Sequence, residues 1–386
     1  MRYIDLGLLP QSQIEQKRKT RKRIILFLAS FLIVSIVGYV GYAFYWPISN
    51  ILGQIFKNPG VVLSFFKEPS SALKSTDGKT NILLLGIDKR ANVPYTFNGP
   101  NGKQEHNGFL SDTIIIISAD LNTKQVSLIS IPRDIWVSFP SWTGFHASEG
   151  KINSAYSLGD SYGYPGGGLA LAERVVSEHL GIPIHYGARI DFEGFKQVIN
   201  TLGGIDITVD KTFDDYNYPV EGKETAFCPD GTFNCRFLHL HFDAGPNHMD
   251  GDTALKYVRS RTGTNGEGSD FARARRQQKV IQAVFKEAIS LNTLLNPAKL
   301  KSLLESLGQS VETNFDFATS TAAIKLAKQI TVDNMKTFVL DPSTGLMYSP
   351  SPDAYGGAYV IIPKNSWQEV QLKIKEFLFQ NQSVKR

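Results

Sequence analysis

One uncharged run near the start of the chain constrains the architecture more than any other feature. Residues 24–46 read IILFLASFLIVSIVGYVGYAFYW and contain no charged side chain. A helix needs about 20 apolar residues to cross the hydrocarbon core of a bilayer. The rings of Tyr42, Tyr45 and Trp46 stand at its far end, where amphipathic aromatic side chains favour the membrane interface. The run therefore predicts a transmembrane helix.

The charges beside this run predict the direction in which the chain crosses the membrane. Six Lys and Arg side chains lie between Lys17 and Arg23, and such basic segments stay in the cytoplasm. Residues 1–23 are therefore predicted to be a cytoplasmic tail, and everything after Trp46 to be extracytoplasmic. A cleavable signal peptide is the alternative, but the run is longer than usual for one and no small-residue cleavage site follows it. An uncleaved signal anchor is the preferred interpretation.

The rest of the chain has the composition of a folded protein. Of 386 residues, 42% are hydrophobic and 20% charged, which argues against extensive disorder. The formal net charge of +5 owes much to the basic tail, and 1–23 is too short for a domain that reads DNA. We expect a juxtamembrane linker at 47–80, a folded domain at 81–290 and a C-terminal extension that packs on it at 291–386.

Short apolar runs alternate with helical patterns through the predicted domain. Strands are expected at 81–86, 113–119 and 125–131, and helices at 168–180, 192–202 and 270–290. Arg259 and Arg261 are expected to lie in an extended stretch, on the same side of it. Strands alternating with helices predict a layered α/β domain with a mixed β-sheet flanked by helices.

Cys228 and Cys235 are the two cysteines of the chain. Outside the cytoplasm such a pair most often forms a disulfide. His239 and His241 follow closely and leave a zinc site as an alternative, although the spacing is not a standard one for zinc ligands. Two free thiols are the third possibility.

Two aspartates at strand ends are candidates for holding a divalent cation. Asp88 follows the first strand in GIDKR, and Asp112 precedes the second in LSDT. Oxygen ligands suit hard cations, but either residue alone is also typical of a turn or a cap.

Arginines form the second candidate set. Clustered guanidinium groups suit multidentate recognition of phosphate or pyrophosphate, whereas a solvated basic face is the alternative. The candidates stand after a strand, around a chain segment rich in Arg, and on one face of the long helix; they are Arg133, Arg259, Arg261, Asp270, Arg273 and Gln277, with Arg276 beside them.

Ordered motifs then reveal a family resemblance over about residues 81–290. NILLLGIDKR, SDTIIIISADLNTKQVSLISIPRD, KIN, YGARIDFEGFKQVINTLGGIDITV, LKYVRSR and DFARARRQQKVI resemble the LytR–CpsA–Psr family. The resemblance implies an extracytoplasmic, membrane-anchored phosphotransferase that moves a glycopolymer from a polyprenyl-pyrophosphate carrier onto peptidoglycan of the cell wall. Hydrolysis of the polyprenyl pyrophosphate by the same residues is one alternative, and a non-catalytic regulator that binds wall lipid is another.

The resemblance also implies roles for individual residues. Asp88 and Asp112 would hold Mg²⁺ or Mn²⁺. Asp270 would orient an arginine, and either Asp88 or Asp270 would accept a proton. The pyrophosphate would be bound by Arg133, Lys151 of KIN, Arg259, Arg261, Arg273, Arg276 and Gln277. The lipid tail would lie in an apolar tunnel lined by residues such as Ile190, Phe195 and Ile199.

The chain departs from the family pattern at one site residue. The family usually has arginine directly before the Ser-Asp-Thr triplet, whereas this chain has Leu110. The loss of one guanidinium implies weaker phosphate binding or a changed choice of acceptor.

Overall fold

The structure, a computed structural model, describes residues 69–89, 96–98, 104–223, 225–290 and 307–380. The predicted cytoplasmic tail, the transmembrane run and most of the juxtamembrane linker lie outside these residues. Among the described helices, none combines the length and the apolar character needed to cross a bilayer.

The secondary structure alternates between strands and helices as the sequence predicts. The strands are β1 (Lys79–Ile87), β2 (Thr96–Asn98), β3 (Gln104–His106), β4 (Ser111–Asp120), β5 (Val126–Ser130), β6 (Trp136–Phe139), β7 (Ser148–Lys151), β8 (Tyr186–Ile190), β9 (Ile205–Val209), β10 (Phe213–Pro219), β11 (Phe237–Phe242), β12 (Gly245–Met249), β13 (Val311–Thr313), β14 (Lys336–Val339), β15 (Met347–Tyr348) and β16 (Ile362–Pro363). The helices are α1 (Pro69–Ala72), α2 (Ala155–Ser161), α3 (Gly167–Leu180), α4 (Phe192–Thr201), α5 (Gly251–Arg259), α6 (Asp270–Ser290), α7 (Phe317–Lys328) and α8 (Trp367–Phe379).

A mixed six-stranded sheet lies at the centre, in the order β13-β8-β1-β4-β5-β14. Strand β1 runs antiparallel to β4 and parallel to β8, and β14 joins β5 in parallel. The apolar run of β1 is buried in the core, where Leu83 and Leu85 pack with Ile116 of β4 and Ile129 of β5. The predicted mixed sheet with flanking helices is confirmed.

The C-terminal segment supplies both edges of this sheet. Strand β13 pairs with β8, and β14 pairs with β5. Helix α8 adds Val370 and Ile374 to the same core as Leu83. Residues 307–380 therefore build the central sheet together with the strands that precede residue 290.

A second apolar cluster holds the elements that carry the arginines. Ile199 of α4, Ile207 of β9, Leu240 of β11 and Tyr257 of α5 pack there. The stretch with Arg259 and Arg261, which we expect to be extended, follows a helix that includes Arg259. That helix forms because the side chain of Asp250 caps the N-terminus by accepting from the Thr253 N–H, and because one helix face is buried in this cluster.

Candidate active site

Two cavities meet beside the first residues of β4. The larger, about 370 Å³, lies among the sheet and helices α4, α5 and α6, and the smaller, about 230 Å³, lies among β4, β5 and the start of α6. Both are lined by the same four residues, Asp112, Thr113, Arg273 and Gln277. We call this set of four the junction.

The two cavities differ in character. Apolar side chains dominate the wall of the larger one; they are Leu84, Ile190, Phe192, Phe195, Leu255, Val258, Val280 and Ile281. We call it the apolar cavity. Exposed Pro219 and Arg261 also line it, which marks its opening. The smaller one, the polar cavity, includes Arg133, Asp134, Asp270 and Tyr359.

Asp112 is the centre of the charge cluster at the junction. Its Oδ1 lies 2.7 Å from Nη1 of Arg133, and its Oδ2 accepts from Nη2 of Arg261 at 2.9 Å. Burial favours the neutral acid, but the charge and hydrogen bond of Arg133, with the charges of Arg261 and Arg273, outweigh burial and hold the pKa of Asp112 below its usual 3.8. Asp112 is therefore a carboxylate that gathers guanidinium groups.

Arg273 is the most buried member of the cluster. It is 6% exposed, and its Nη1 lies 2.8 Å from Oδ1 of Asp270. Among the described residues its Nε has no hydrogen-bond acceptor. Burial and then the like charge of Arg261 lower the pKa of Arg273 to about 10. A buried N–H of a charged group is costly without an acceptor, and an anion at this position would supply one.

Arg259 and Arg261 are positioned by a carboxylate that the sequence analysis missed. Asp215 of β10 accepts from the Ser260 hydroxyl at 2.6 Å and from the Arg261 N–H at 3.1 Å. Asp215 is 1% exposed, so these bonds hold the end of α5 in one place. Arg259 then lies with its guanidinium 4.1 Å from the ring centre of Phe192. The sequence around Asp215, Asp-Asp-Tyr in β10, does not predict this role, because the residues that Asp215 contacts lie some 45 positions further along the chain.

Lys151 and Gln277 act on neighbours of the cluster. Nζ of Lys151 lies 2.6 Å from Oδ1 of Asp134, and Asp134 Oδ2 is 3.4 Å from Nε of Arg133. Nε2 of Gln277 donates to the hydroxyl of Thr113 at 2.9 Å. Lys151 therefore reaches the polar cavity through Asp134, whereas Gln277 lines both cavities directly.

Arg276 does not belong to this cluster, contrary to the expectation from its spacing. It is 2% exposed and donates to the carbonyl oxygens of Tyr257 and Glu267, each at 2.9 Å, and of Ser260 at 2.5 Å. It lines neither the apolar nor the polar cavity. Its helical position places it under the arginine-bearing loop, so its role is to support the backbone there.

Two further expectations have mixed outcomes. Ile190 and Phe195 line the apolar cavity, but Ile199, predicted to line the tunnel with them, is fully buried in the second apolar cluster. Leu110 is 44% exposed, and its carbonyl accepts the N–H of Asp88 at 3.4 Å. The side chain at 110 thus adds no charge to the cluster, while its backbone supports a residue of the apolar cavity.

The carboxylates fit a divalent cation that arrives with a phosphate ligand. Asp88 and Asp112 both line the apolar cavity, and Mg²⁺ is usually held by one or two carboxylates plus substrate phosphates. Within the described residues, no group of three or more His, Cys, Asp and Glu side chains is arranged for a metal. Each oxygen of Asp112 is contacted by one arginine, and each keeps a second lone pair that can bind a cation.

Cys228 and Cys235 form a disulfide, with sulfurs 2.08 Å apart. The two histidines that suggested zinc serve another partner: Nε2 of His239 and Nδ1 of His241 lie 2.7 and 2.8 Å from the same oxygen of Asp214. The disulfide closes the loop between β10 and β11, and neither cysteine lines the apolar or the polar cavity.

Comparison with known proteins gives the class of the chain. A sequence model of the LytR_cpsA_psr family matches residues 64–376. The polyisoprenyl-teichoic acid–peptidoglycan teichoic acid transferase TagV of Bacillus subtilis (strain 168) is 31% identical over 300 residues, 77% of this chain and 64% of that protein. TagU of Oceanobacillus iheyensis, which has the same enzyme name as TagV, is 30% identical over 311 residues, 79% of this chain and 82% of that protein.

A solved structure agrees with the sequence comparison. The crystal structure of B. subtilis TagV resembles this fold with a TM-score of 0.53 and 26% identity, over 79% of this chain and 98% of that chain. The chain belongs to the LytR–CpsA–Psr family. The residues that match the family model, 64–376, include the C-terminal strands β13 and β14, in agreement with their place in the central sheet. The chain spans less than two thirds of the length of the full TagV protein.

Proposed function

We propose that this chain is a phosphotransferase that moves a glycopolymer from a polyprenyl-pyrophosphate carrier onto a peptidoglycan hydroxyl of the cell wall. The observation that carries the proposal is the position of buried Arg273, with an N–H lacking an acceptor among the described residues, where an apolar and a polar cavity meet. The relatives TagV and TagU, named as acting on polyisoprenyl-linked teichoic acid, support an anionic wall polymer as the substrate.

The donor lies across the junction. Its polyprenyl tail enters the apolar cavity, whose wall is hydrocarbon and aromatic rings. Its pyrophosphate takes over the guanidinium groups of Arg133 and Arg261 that Asp112 holds, and it meets the N–H of Arg273. Arg259 and Lys151, the latter through Asp134, add positive charge around the pyrophosphate, and Gln277 adds an amide hydrogen-bond donor.

The acceptor enters from the polar cavity. Its hydroxyl oxygen attacks the phosphorus that bears the polymer, and the bond from that phosphorus to the bridging oxygen breaks, so that polyprenyl phosphate leaves. The proton of the hydroxyl passes to Asp270, which lines the polar cavity, whereas Asp88 lines the apolar one. Phosphoryl transfer depends mainly on positioning and on charge neutralisation, and the arginine cluster provides both.

Asp88 and Asp112, which both line the apolar cavity, would hold Mg²⁺ or Mn²⁺ when the donor is bound. Bound there, the metal would supply charge neutralisation at the phosphate groups. The carboxylate of Asp112 orients the guanidinium groups of Arg133 and Arg261 until the donor arrives.

The apolar run at residues 24–46 anchors the chain in the cell membrane, with residues 1–23 in the cytoplasm and the catalytic part outside. The basic segment and the uncharged run support this topology. Protease added to intact cells should digest the part after residue 47 and spare the tail. Protection of the whole chain would contradict the topology.

The test of function is transfer by the full chain in detergent or nanodiscs. It receives a polyprenyl-pyrophosphate-linked saccharide, Mg²⁺ and peptidoglycan oligomers. We expect saccharide joined to peptidoglycan, and a loss of at least about 100-fold in Arg133→Ala, in Asp112→Ala and on chelation of the metal. Release of phosphosaccharide without joining would indicate a hydrolase, and tight donor binding without turnover would indicate a regulator.

A further inference from the structure

The disulfide-closed loop between β10 and β11 presents an exposed apolar surface. Phe227 is 100% exposed and Phe233 64%, while Leu238 and Phe237 at the start of β11 are 42% and 40% exposed. Single exposed apolar residues are ordinary, but four within twelve consecutive positions, from the loop into the start of β11, are not. We call these four residues the aromatic tip.

The tip is held by the fold. The disulfide brings the Cα atoms of Cys228 and Cys235 to 5.6 Å. The Val220 N–H donates to the Arg236 carbonyl at 2.8 Å, and Nε of Arg236 donates to the Ala226 carbonyl at 2.9 Å. The same guanidinium lies 4.5 Å from the ring centre of Phe233. The disulfide and these hydrogen bonds therefore hold the loop in a conformation that exposes the rings to solvent.

The tip adjoins the opening of the apolar cavity. Tyr218 and Pro219 of β10 line that cavity. In the hairpin, Tyr218 pairs with Leu238 and Pro219 with Phe237, and directly paired residues have Cα atoms only about 4.5 to 5.5 Å apart. The exposed apolar surface thus continues from the cavity along the hairpin.

The size of the cavity shows why such a surface is useful. About 370 Å³ is at the small end of the range that holds a drug-sized ligand, so the cavity takes only part of a polyprenyl chain. The rest of the chain must leave through the opening, past the hairpin. Water there would impose a hydrophobic cost on every exposed isoprene unit, whereas a bilayer would not.

The charge of the loop favours a lipid surface over an acidic or basic partner. From Ala226 to Leu238 the sequence holds one acidic and one basic side chain, Asp230 and Arg236. Asp230 accepts from the N–H of Thr232 at 3.0 Å and from its hydroxyl at 2.8 Å. Asp230 and Arg236 thus each have hydrogen-bond partners within the loop, and the low charge of the loop lets the four apolar side chains enter the interface.

We propose that the aromatic tip inserts into the interfacial layer of the lipid bilayer beside the opening of the apolar cavity, so that the polyprenyl tail passes between bilayer and cavity without crossing water. The passage of the tail rests on the proposed function. The contact between tip and bilayer does not, and it is tested without turnover.

The first test is photo-cross-linking of the full chain in nanodiscs of phosphatidylethanolamine and phosphatidylglycerol. The photoreactive residue p-benzoylphenylalanine replaces Phe227, or Phe233, or as a control Tyr348 of β15, which is 41% exposed. We expect mass-spectrometric adducts with acyl chains at 227 and 233 and at least about tenfold less at 348. Cross-links to a second copy of the chain, equal lipid labelling at all three positions, or no lipid adduct at 227 would overturn the proposal.

The second test separates the tip from the chemistry. The double variant Phe227→Ser, Phe233→Ser should raise the KM for a long-chain donor in the bilayer about tenfold or more. Its kcat for a short-chain, water-soluble donor should equal that of the unchanged protein. An unchanged KM for the bilayer donor would overturn the proposal while leaving the transferase intact. If the chain has no transferase activity at all, the cross-linking result still decides the membrane contact.

Discussion

At the scale of single residues, neighbouring arginines on one helix have different work. Arg273 belongs to the junction and has an N–H that lacks an acceptor among the described residues. Arg276 instead donates to the backbone carbonyl of Tyr257 in α5 and to those of Ser260 and Glu267 in the loop that follows α5. Helical spacing alone predicts that the two side chains are neighbours, because residues three positions apart lie on adjoining parts of the helix surface. The difference lies in what covers each face.

A matched pair of substitutions tests this division. Arg273→Lys should lower kcat of transfer by about 100-fold, because one compact ammonium cannot replace a guanidinium fork on pyrophosphate, and should leave thermal stability nearly unchanged. Arg276→Lys should lower the free energy of unfolding by about 3 kcal/mol, because buried carbonyls lose their donors. Steady-state transfer assays measure kcat, and denaturant titrations measure the free energy of unfolding. If Arg276→Lys lowered kcat without lowering the free energy of unfolding, Arg276 would have to be counted among the residues that bind the substrate.

Asp112 links the charge cluster to pH. Its folded-state pKa lies below the usual 3.8, so the carboxylate stabilises the fold above 3.8 and loses that contribution as the pH falls below 3.8 toward the folded-state pKa. Asp112→Asn should therefore cost about 2 kcal/mol of unfolding free energy at pH 7 and almost nothing in strong acid. Urea titrations of both proteins across this range measure the difference. A cost that is the same at every pH would contradict the charged role.

At the scale of elements, the end of α5 decides where Arg261 points. The helix ends at Arg259, and Asp215 of β10 holds the next residues through Ser260 and Thr262. Burial tends to raise the pKa of Asp215, but its hydrogen bonds from Ser260 and Thr262 outweigh burial and lower it. The anchor is therefore a charged carboxylate, and the loop depends on that charge.

The neighbouring aspartate on the same strand supplies the control. Asp215→Asn should lower kcat/KM for transfer about tenfold, because one charge-assisted set of bonds to the loop is weakened and Arg261 loses its position. Asp214→Asn, whose partners are exposed His239 and His241, should change it less than about twofold. Equal effects of the two variants in steady-state kinetics would show that Asp215 does not position the arginine.

At the scale of the whole molecule, the central sheet is complete only with the two edge strands from the C-terminal segment. β13 covers the edge of β8 and β14 covers that of β5, while α8 packs on the core. Uncovered edges present rows of unpaired N–H and C=O groups that invite aggregation. Residues 307–380 are therefore part of the fold that positions the site.

Truncation tests this dependence. A chain that ends at residue 306 should give little soluble protein and no cooperative thermal transition by circular dichroism, because it lacks both edge strands. A chain that ends at residue 380 keeps every described element and should melt like the full protein. A soluble, cooperative protein ending at 306 would show that the sheet is stable without its edges.

Much of this architecture follows from local patterns in the sequence. The apolar runs of β1, β4 and β5 predict buried strands, and Asp191 predicts the start of α4, where it accepts from the Gly194 N–H. The motifs around Asp88, Asp112, Arg133 and Arg273 identify the family. These signals are readable because strands and helices impose periods of two and about 3.6 residues on neighbouring side chains.

Long-range packing decided the remainder. The helix at LKYVRSR, the anchoring by Asp215 and the supporting role of Arg276 depend on contacts between segments that are far apart in the chain. The junction itself exists because β4, β5, α5 and α6 converge on Asp112, whose partners Arg133 and Arg261 lie 21 and 149 residues away. Sequence by itself determined which residues carry charge and which segments are apolar; only the tertiary structure decided which charges meet, because no local period encodes a contact across such distances.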